Sequence, residues 1–183
     1  MGHERTQPYK GRRMIVLNIG EGISGAVFSD SERRFRYALW RFWQPSGDKL
    51  LFIGLNPSTA NDIKDDPTIR RIIGFAKSWG FGGIFAGNLF SLVTANPDVL
   101  WHSSSPEQRN GPNDTAIKRM RELSTRVMVG WGNEGRFAGS RPRELLALLG
   151  EPVYCLRTTT MGEPSHPLYL PARSCLIPYV RKE

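Results

Sequence analysis

The sequence predicts an α/β fold: a central, mainly parallel four-stranded sheet with helices on both faces, preceded by N-terminal edge strands. Four short apolar runs predict the sheet, and they cover residues 50–55, 83–87, 127–129 and 152–156. Each run leads into polar, turn-prone residues, and one strand–helix unit separates it from the next. Alternating strands and helices imply parallel strands joined by right-handed crossovers.

The elements before the first of these runs are predicted as strands. Glycines separate short apolar runs at residues 14–19 and 26–29, which is typical of a hairpin or of two edge strands. A basic, aromatic strand follows over residues 33–43. Alternation places two sets of its side chains on opposite sides: Phe35, Tyr37 and Leu39 on one, and Arg36, Ala38, Trp40 and Phe42 on the other. The strand either flanks the core, which we favour, or offers rings and arginines to single-stranded nucleic acid.

Helix signals lie between the apolar runs. Asp66 and Pro67 suit the cap and first turn of a helix that ends at Gly80. Asp114 is expected to open a second helix, and residues 142–149 form a third.

Two stretches carry no regular pattern. Residues 94–112 are irregular and long enough for a functional lid or a flexible excursion. Residues 162–171 form a loop, and residues 177–180 are expected to add a final short strand.

Length and composition set the class of protein. The 183 residues fit a basic, flexible tail over residues 1–13 and a single domain over residues 14–183. No apolar run approaches the ~20 residues that cross a membrane, and the basic start of the chain has no apolar core behind it, so we expect a cytoplasmic protein.

Cysteine content and charge bear on metals and partners. Cys155 and Cys175 stand alone, which makes a zinc site an unfavoured interpretation. The net charge of +8 favours an anionic partner, nucleic acid or nucleotide.

Polar residues at the strand ends predict one ligand site. Asn56, Asn88, Trp131 and His166 each follow a predicted strand, at the edge where open α/β sheets bind ligands. Each also has a structural interpretation: a turn-stabilising Asx residue, a partner for loop backbone, a packed indole, or a buried histidine held between prolines. The convergence of the four favours a functional role.

The segment after the first strand adds further candidates. Pro57 fixes the extended backbone that presents Asn56, with Ser58 beside it. Asp66 has a capping role, which leaves Asp65 free to bind a cation or act as a general base. Arg70 and Arg71 are either exposed surface or phosphate contacts.

Taken together, the motifs GLNPSTA, DPTIRR, GNLF, GWG and HPLYLP resemble the domain-of-unknown-function family 1643 over most of the chain. More remotely, the order of these strand-end motifs resembles the uracil-DNA glycosylase superfamily over residues 50–171. That second resemblance implies the three-layer α/β/α fold of those enzymes and action on a nucleobase.

The resemblance also implies roles for single residues. The branch that acts on mismatched uracil and thymine reads Gly-Ile-Asn-Pro-Gly where this chain has residues 54–58, so Asn56 would orient water at the anomeric carbon of the sugar. Asn88 would bind the pyrimidine edge, and His166 would stabilise charge on the departing base. Leu168 or Tyr169 would fill the gap left by a flipped base. This route requires no metal or other cofactor.

The chain departs from that superfamily at several motifs, lacks its iron–sulfur cysteines, and carries Asp65 and Asp66, which have no obvious counterpart there. Its last motif is His-Pro-Leu-Tyr-Leu rather than His-Pro-Ser-Pro-Leu, and it lacks the acid of the uracil-specific branch, which predicts slow cleavage at best. The expected function is hydrolysis of a nucleobase N-glycosidic bond in DNA, as in DNA repair, or in a nucleoside. The alternatives are a non-catalytic nucleic-acid or nucleotide-binding domain and a cation-dependent nucleotide-processing enzyme that uses Asp65.

Overall fold

The computed structural model describes residues 18–102 and 111–181. The strands in this part of the chain are β1 Ser24–Phe28, β2 Arg36–Phe42, β3 Lys49–Gly54, β4 Gly83–Asn88, β5 Arg126–Val129, β6 Tyr154–Cys155 and β7 Ile177–Pro178. The α-helices there are α1 Pro67–Ser78, α2 Asp98–His102, α3 Pro112–Glu122 and α4 Arg141–Leu149. Two 3₁₀ turns, Asn133–Ala138 and Pro167–Tyr169, follow β5 and β6.

The strands form one mixed sheet, so the predicted α/β class is confirmed. Across the described residues the order is β1-β2-β4-β3-β5-β6-β7. The four strands predicted from the apolar runs pair in parallel at its centre, and β1, β2 and β7 are antiparallel. The prediction of a four-stranded, mainly parallel sheet is corrected to one mixed sheet of seven strands, because the predicted N-terminal edge strands, β1 and β2, join it antiparallel through β4, and the predicted final strand, β7, joins it antiparallel at the other edge.

Helices on both faces of the sheet bury two separate cores. On one face α1 packs its apolar stripe, which includes Ile72 and Phe75, against β3 and β4. On the other face α3 and α4 pack against the sheet through residues such as Met120 and Leu145. The predicted start of α1 is confirmed: the Asp66 carboxylate accepts the backbone N–H of Ile69 at 2.8 Å.

Several predicted boundaries differ from the structure. The stretch predicted as irregular contains the short helix α2, and α3 begins two residues before Asp114, where Pro112 suits a first turn. The predicted tail over residues 1–13 and most of the predicted strand over residues 14–19 lie outside the described residues. No helix in the described ranges is long and apolar enough to cross a membrane.

An extra residue interrupts the regular pairing of β2. Along β1 the paired residues step from Val27 to Phe28, whereas along β2 they step from Ala38 to Arg36. Tyr37 is therefore the additional residue of a β-bulge, which changes the direction of side chains before it.

The bulge moves Arg36 to the opposite face of the sheet from the one predicted. Strict alternation places Arg36 on the side of Ala38. In the structure Tyr37 and Ala38 both pack in the core beside α3 and α4, whereas Leu39 faces the α1 side. Arg36 shares that α1 side, and its Nη1 donates to the carbonyl of Ala60 at 2.7 Å. The prediction for this strand is corrected because a bulge adds one residue to the count that alternation depends on.

Candidate functional site

A cavity of about 640 Å³ lies at the carboxyl edge of β3, β4 and β5. The first turn of α1 and the loop that follows β6 also line it. Four of the residues predicted at strand ends contribute to this lining, namely Asn56, Asn88, Trp131 and His166. The side chains therefore come together because the central strands are parallel and end at the same edge.

Asn56 uses its amide nitrogen to hold the neighbouring loop. Its Nδ2 donates to the carbonyls of Pro57 at 3.0 Å and Thr94 at 2.7 Å. The Thr94 backbone N–H in turn donates to Pro57 O at 3.0 Å. Because both amide hydrogens are engaged, the remaining polar atom of Asn56 is its oxygen, which can only accept a hydrogen bond.

Asn88 is buried at the tip of β4, and its amide also has its hydrogens engaged. In the orientation that satisfies its surroundings, Nδ2 donates to the carbonyls of Asn56 at 3.3 Å and Gly87 at 3.2 Å. Asn113 supports this tip from α3, because its amide donates to the Asn88 carbonyl at 3.1 Å. The side-chain oxygen of Asn88 is thus the acceptor that remains for a ligand.

His166 stands at the start of the 3₁₀ turn Pro167–Tyr169, in a loop that packs against the end of β5. The N–H of Gly132, which has a φ of +73°, donates to the Pro164 carbonyl at 2.8 Å. The loop also approaches Gly130 closely, because a Cβ at that position would lie only 3.0 Å from the Pro167 ring. The His166 Nδ1 accepts the Leu168 N–H at 3.4 Å, which assigns the ring proton to Nε2. Burial lowers the pKa of His166 and the Asp66 carboxylate opposes this shift, so the neutral ring is a donor through Nε2.

The lowered pKa of His166 predicts a pH-dependent stability. The unfolded chain binds the proton more readily than the folded one, so this contribution is fully present above about pH 6.5 and is lost as the pH falls toward the folded-state pKa. Urea unfolding between about pH 8 and pH 5 should show a steeper loss for the wild type than for His166→Gln. Equal losses in the two proteins would contradict the assignment.

Trp131 is a wall of the cavity that is fixed from behind. Its side chain is 2 % exposed, and its Nε1–H donates to Glu163 Oε2 at 2.6 Å. The same carboxylate forms an ion pair with Arg181 at 2.8 Å. Because the indole nitrogen is engaged inside the protein, Trp131 offers a ligand only its apolar surface.

Other predicted residues lie at the rim or outside the cavity. Ser58, Leu168 and Tyr169 line it, and Tyr169 is 81 % exposed. Arg70 and Arg71 do not belong to the lining. The Arg70 guanidinium donates to the Asp65 carbonyl at 2.6 Å, and that of Arg71 donates to the Leu170 carbonyl. Pro57 likewise lies outside the lining and acts on the site through its carbonyl.

The two adjacent acids have separate structural partners. Asp65 pairs with the Arg41 guanidinium at 2.9 Å and lies outside the cavity, whereas Asp66 lines the cavity and caps α1. In the described part of the chain, no group of three or more His, Cys, Asp or Glu side chains is arranged to hold a metal ion.

The buried cysteine is not activated as a nucleophile. Burial raises the pKa of the Cys155 thiol to about 11, so this cysteine stays protonated at neutral pH.

Arg36 is a residue of the cavity that was not among the predicted site residues. Arg36 is 3 % exposed and lines the cavity from the start of β2. Because β2 is antiparallel to β4, the start of β2 lies at the same edge as the end of β4. The extra residue at Tyr37 sets the direction of the Arg36 side chain, and the sequence does not reveal it. The one feature of the sequence that indicated a special role for Arg36 is its charge within an otherwise apolar strand.

The fold and cavity define an α/β domain with a ligand-sized site at the carboxyl edge of its central strands. The chain matches the family model described as a protein of unknown function, DUF1643, over residues 36–168, which is more than half of its length. The chain belongs to that family, and the predicted resemblance to it is confirmed. Neither the curated proteins nor the solved structures contain a match to this chain.

Proposed function

We propose that this protein is a uracil-DNA glycosylase-like hydrolase that cleaves the N-glycosidic bond of a nucleobase, in DNA or in a smaller nucleoside. The observation that carries the proposal is the meeting of Asn56, Asn88 and His166 in one cavity at the strand ends. In this proposal the enzyme is cytoplasmic, and action on DNA is a step of DNA repair.

The hydrogen-bond capacity of these three side chains supports the proposed chemistry. The free oxygen of Asn56 can accept a hydrogen bond from water and so orient its lone pair toward the anomeric carbon. The oxygen of Asn88 can accept a ring N–H of the base. The Nε2–H of His166 can donate to a base carbonyl, where negative charge develops as the base departs.

The neutral state of His166 fits this role. Charge on a departing base is stabilised by a donor that is already in place; burial favours the neutral imidazole, and the Leu168 N–H orients it through Nδ1. An amide such as Asn56 orients water but does not deprotonate it. The proposal therefore predicts slow cleavage.

The test is formation of abasic sites on labelled single- and double-stranded oligonucleotides that carry uracil, mismatched thymine, hypoxanthine or 5-hydroxymethyluracil. Release of free base from nucleosides is measured in parallel. Asn56→Ala is expected to lower turnover by about 10²–10³-fold, with little change in substrate binding.

A matched control separates chemistry from loop structure, because Asn56 also holds the loop at Thr94. Asn96→Ala perturbs that loop without changing the cavity lining, since the Asn96 side chain accepts the Asp98 N–H at 3.0 Å. Asn96→Ala should retain turnover. Normal turnover by Asn56→Ala would contradict the role of Asn56, and nucleic-acid binding with no product from any substrate would favour a non-catalytic binding domain.

A further inference from the structure

We propose that Arg36 forms a binding site, on the α1 side of the cavity, for an oxygen of the ligand that carries negative charge. This inference rests on the proposed function for the kind of ligand, a nucleoside or nucleotide. It adds a contact that none of the predicted site residues provides.

Arg36 is a buried cation with most of its hydrogen-bond capacity unused. Among the described residues the only acceptor within hydrogen-bond distance of its side chain is the Ala60 carbonyl, which takes Nη1. Its Nε is enclosed and has no partner in that part of the chain. A buried guanidinium with a single acceptor regains only part of the hydration it has lost, so a ligand acceptor would offset the remaining cost.

The carboxylates near Arg36 are engaged elsewhere. Asp65 pairs with Arg41, which lies on the same strand and the same face. Asp66 accepts the Ile69 N–H at the start of α1 and is not within ion-pair distance of Arg36. Its negative charge still acts to raise the pKa of Arg36. Burial lowers the pKa of Arg36 to about 10, so the guanidinium remains charged at neutral pH.

The chemistry of the guanidinium selects the ligand group. With Nη1 bound to Ala60 and Nε enclosed, Nη2 is the nitrogen whose donors are left for a ligand, and a charge-assisted hydrogen bond from it favours a negatively charged oxygen such as that of a phosphate. The first turn of α1 contributes Thr68 and Ile69 to the same lining. In a nucleoside or nucleotide, such an oxygen belongs either to a phosphate or to the base as it departs with the bonding electrons.

The test compares Arg36→Met with Arg41→Met, a matched arginine on the same face whose charge is already paired. Affinities for uridine, uridine 5′-monophosphate and inorganic phosphate are measured by calorimetry, together with thermal unfolding. Arg36→Met should bind the nucleotide at least about tenfold more weakly than the wild type and should lose less thermal stability than Arg41→Met, because its one protein partner is the Ala60 carbonyl. Arg41→Met should retain the affinity and lose stability, because it leaves Asp65 unpaired.

Comparison of the three probe ligands identifies which part of the ligand supplies the oxygen. Weakening confined to the nucleotide and to phosphate assigns the oxygen to a phosphate, whereas equal weakening for uridine and its monophosphate assigns it to the base. Unchanged affinity of Arg36→Met for all three probes, or no binding of any of them to the wild type up to about 10 mM, would overturn the inference. Since the test measures binding and not turnover, failure of the proposed hydrolysis leaves this result interpretable.

Discussion

Replacing Arg141 with methionine is expected to lower the free energy of unfolding by about 3 kcal/mol. Arg141 is 1 % exposed, and its guanidinium pairs with Asp114 at 2.6 Å and donates to the Leu89 carbonyl at 2.8 Å. The methionine fills most of the space but leaves the Asp114 carboxylate without its cation, and the Leu89 carbonyl keeps only a long hydrogen bond from the Asn113 amide, at 3.5 Å. Leu89 directly follows Asn88, so the same change loosens the tip of β4 at the cavity.

The measurement is urea unfolding of Arg141→Met beside Arg121→Met. Arg121 supplies a matched guanidinium that donates only to carbonyls, those of Leu149 at 3.0 Å and Ser124 at 3.3 Å. Its loss should cost about 1 kcal/mol. If the two variants lose equal stability, the ion pair with Asp114 contributes nothing beyond hydrogen bonds to carbonyls.

Replacing Glu163 with alanine is the second change with a large expected effect, again about 3 kcal/mol. The Glu163 carboxylate is buried and accepts from both Trp131 and Arg181. Its removal leaves the indole N–H of Trp131 buried without an acceptor and opens space behind the cavity wall. Burial and the neighbouring Glu163 both raise the pKa of Tyr179, which marks this cluster as poorly hydrated.

Thermal and urea unfolding of Glu163→Ala should be compared with Glu144→Ala. Glu144 accepts from Ser140 at 2.6 Å on an exposed surface of α4, so its loss should cost less than about 1 kcal/mol. Glu163→Gln keeps an acceptor for Trp131 and should fall between the two. A stability of Glu163→Ala equal to that of Glu144→Ala would show that the buried carboxylate is dispensable.

The centre of the sheet and the gathering of the site could be predicted because both depend on short-range patterns. Apolar runs identify buried parallel strands, and Asp66-Pro67 is a local capping signal that operates within one turn of helix. Once the strands are known to be parallel, their carboxyl ends must share an edge, so Asn56, Asn88 and His166 meet there. The edge strands β1, β2 and β7 also overlap predicted strands, but their order and direction in the sheet could not be predicted, because pairings such as that of β2 with β4 join segments far apart in the chain.

The missing part of the candidate site depends on features that have no local signature. The face of Arg36 follows from a bulge that is visible only when β1 and β2 are paired residue by residue. The partners of Asp65 and Arg71 are equally nonlocal: one binds Arg41, 24 residues away, and the other binds Leu170, 99 residues away. From charge alone, Asp65 was a candidate ligand for a cation and Arg71 a candidate ligand for a phosphate. In the structure both side chains instead bind other segments of the same chain.

The bulge at Tyr37 makes the polarity of the cavity depend on chain length rather than on residue chemistry. In a version of β2 shorter by that one residue, every side chain would be retained except the tyrosine, yet the guanidinium of Arg36 would turn to the apolar core beside α3 and α4. Insertions and deletions in this strand therefore change the polarity of the cavity as strongly as substitutions do. Variants of this domain should accordingly be aligned by strand pairing before their cavities are compared.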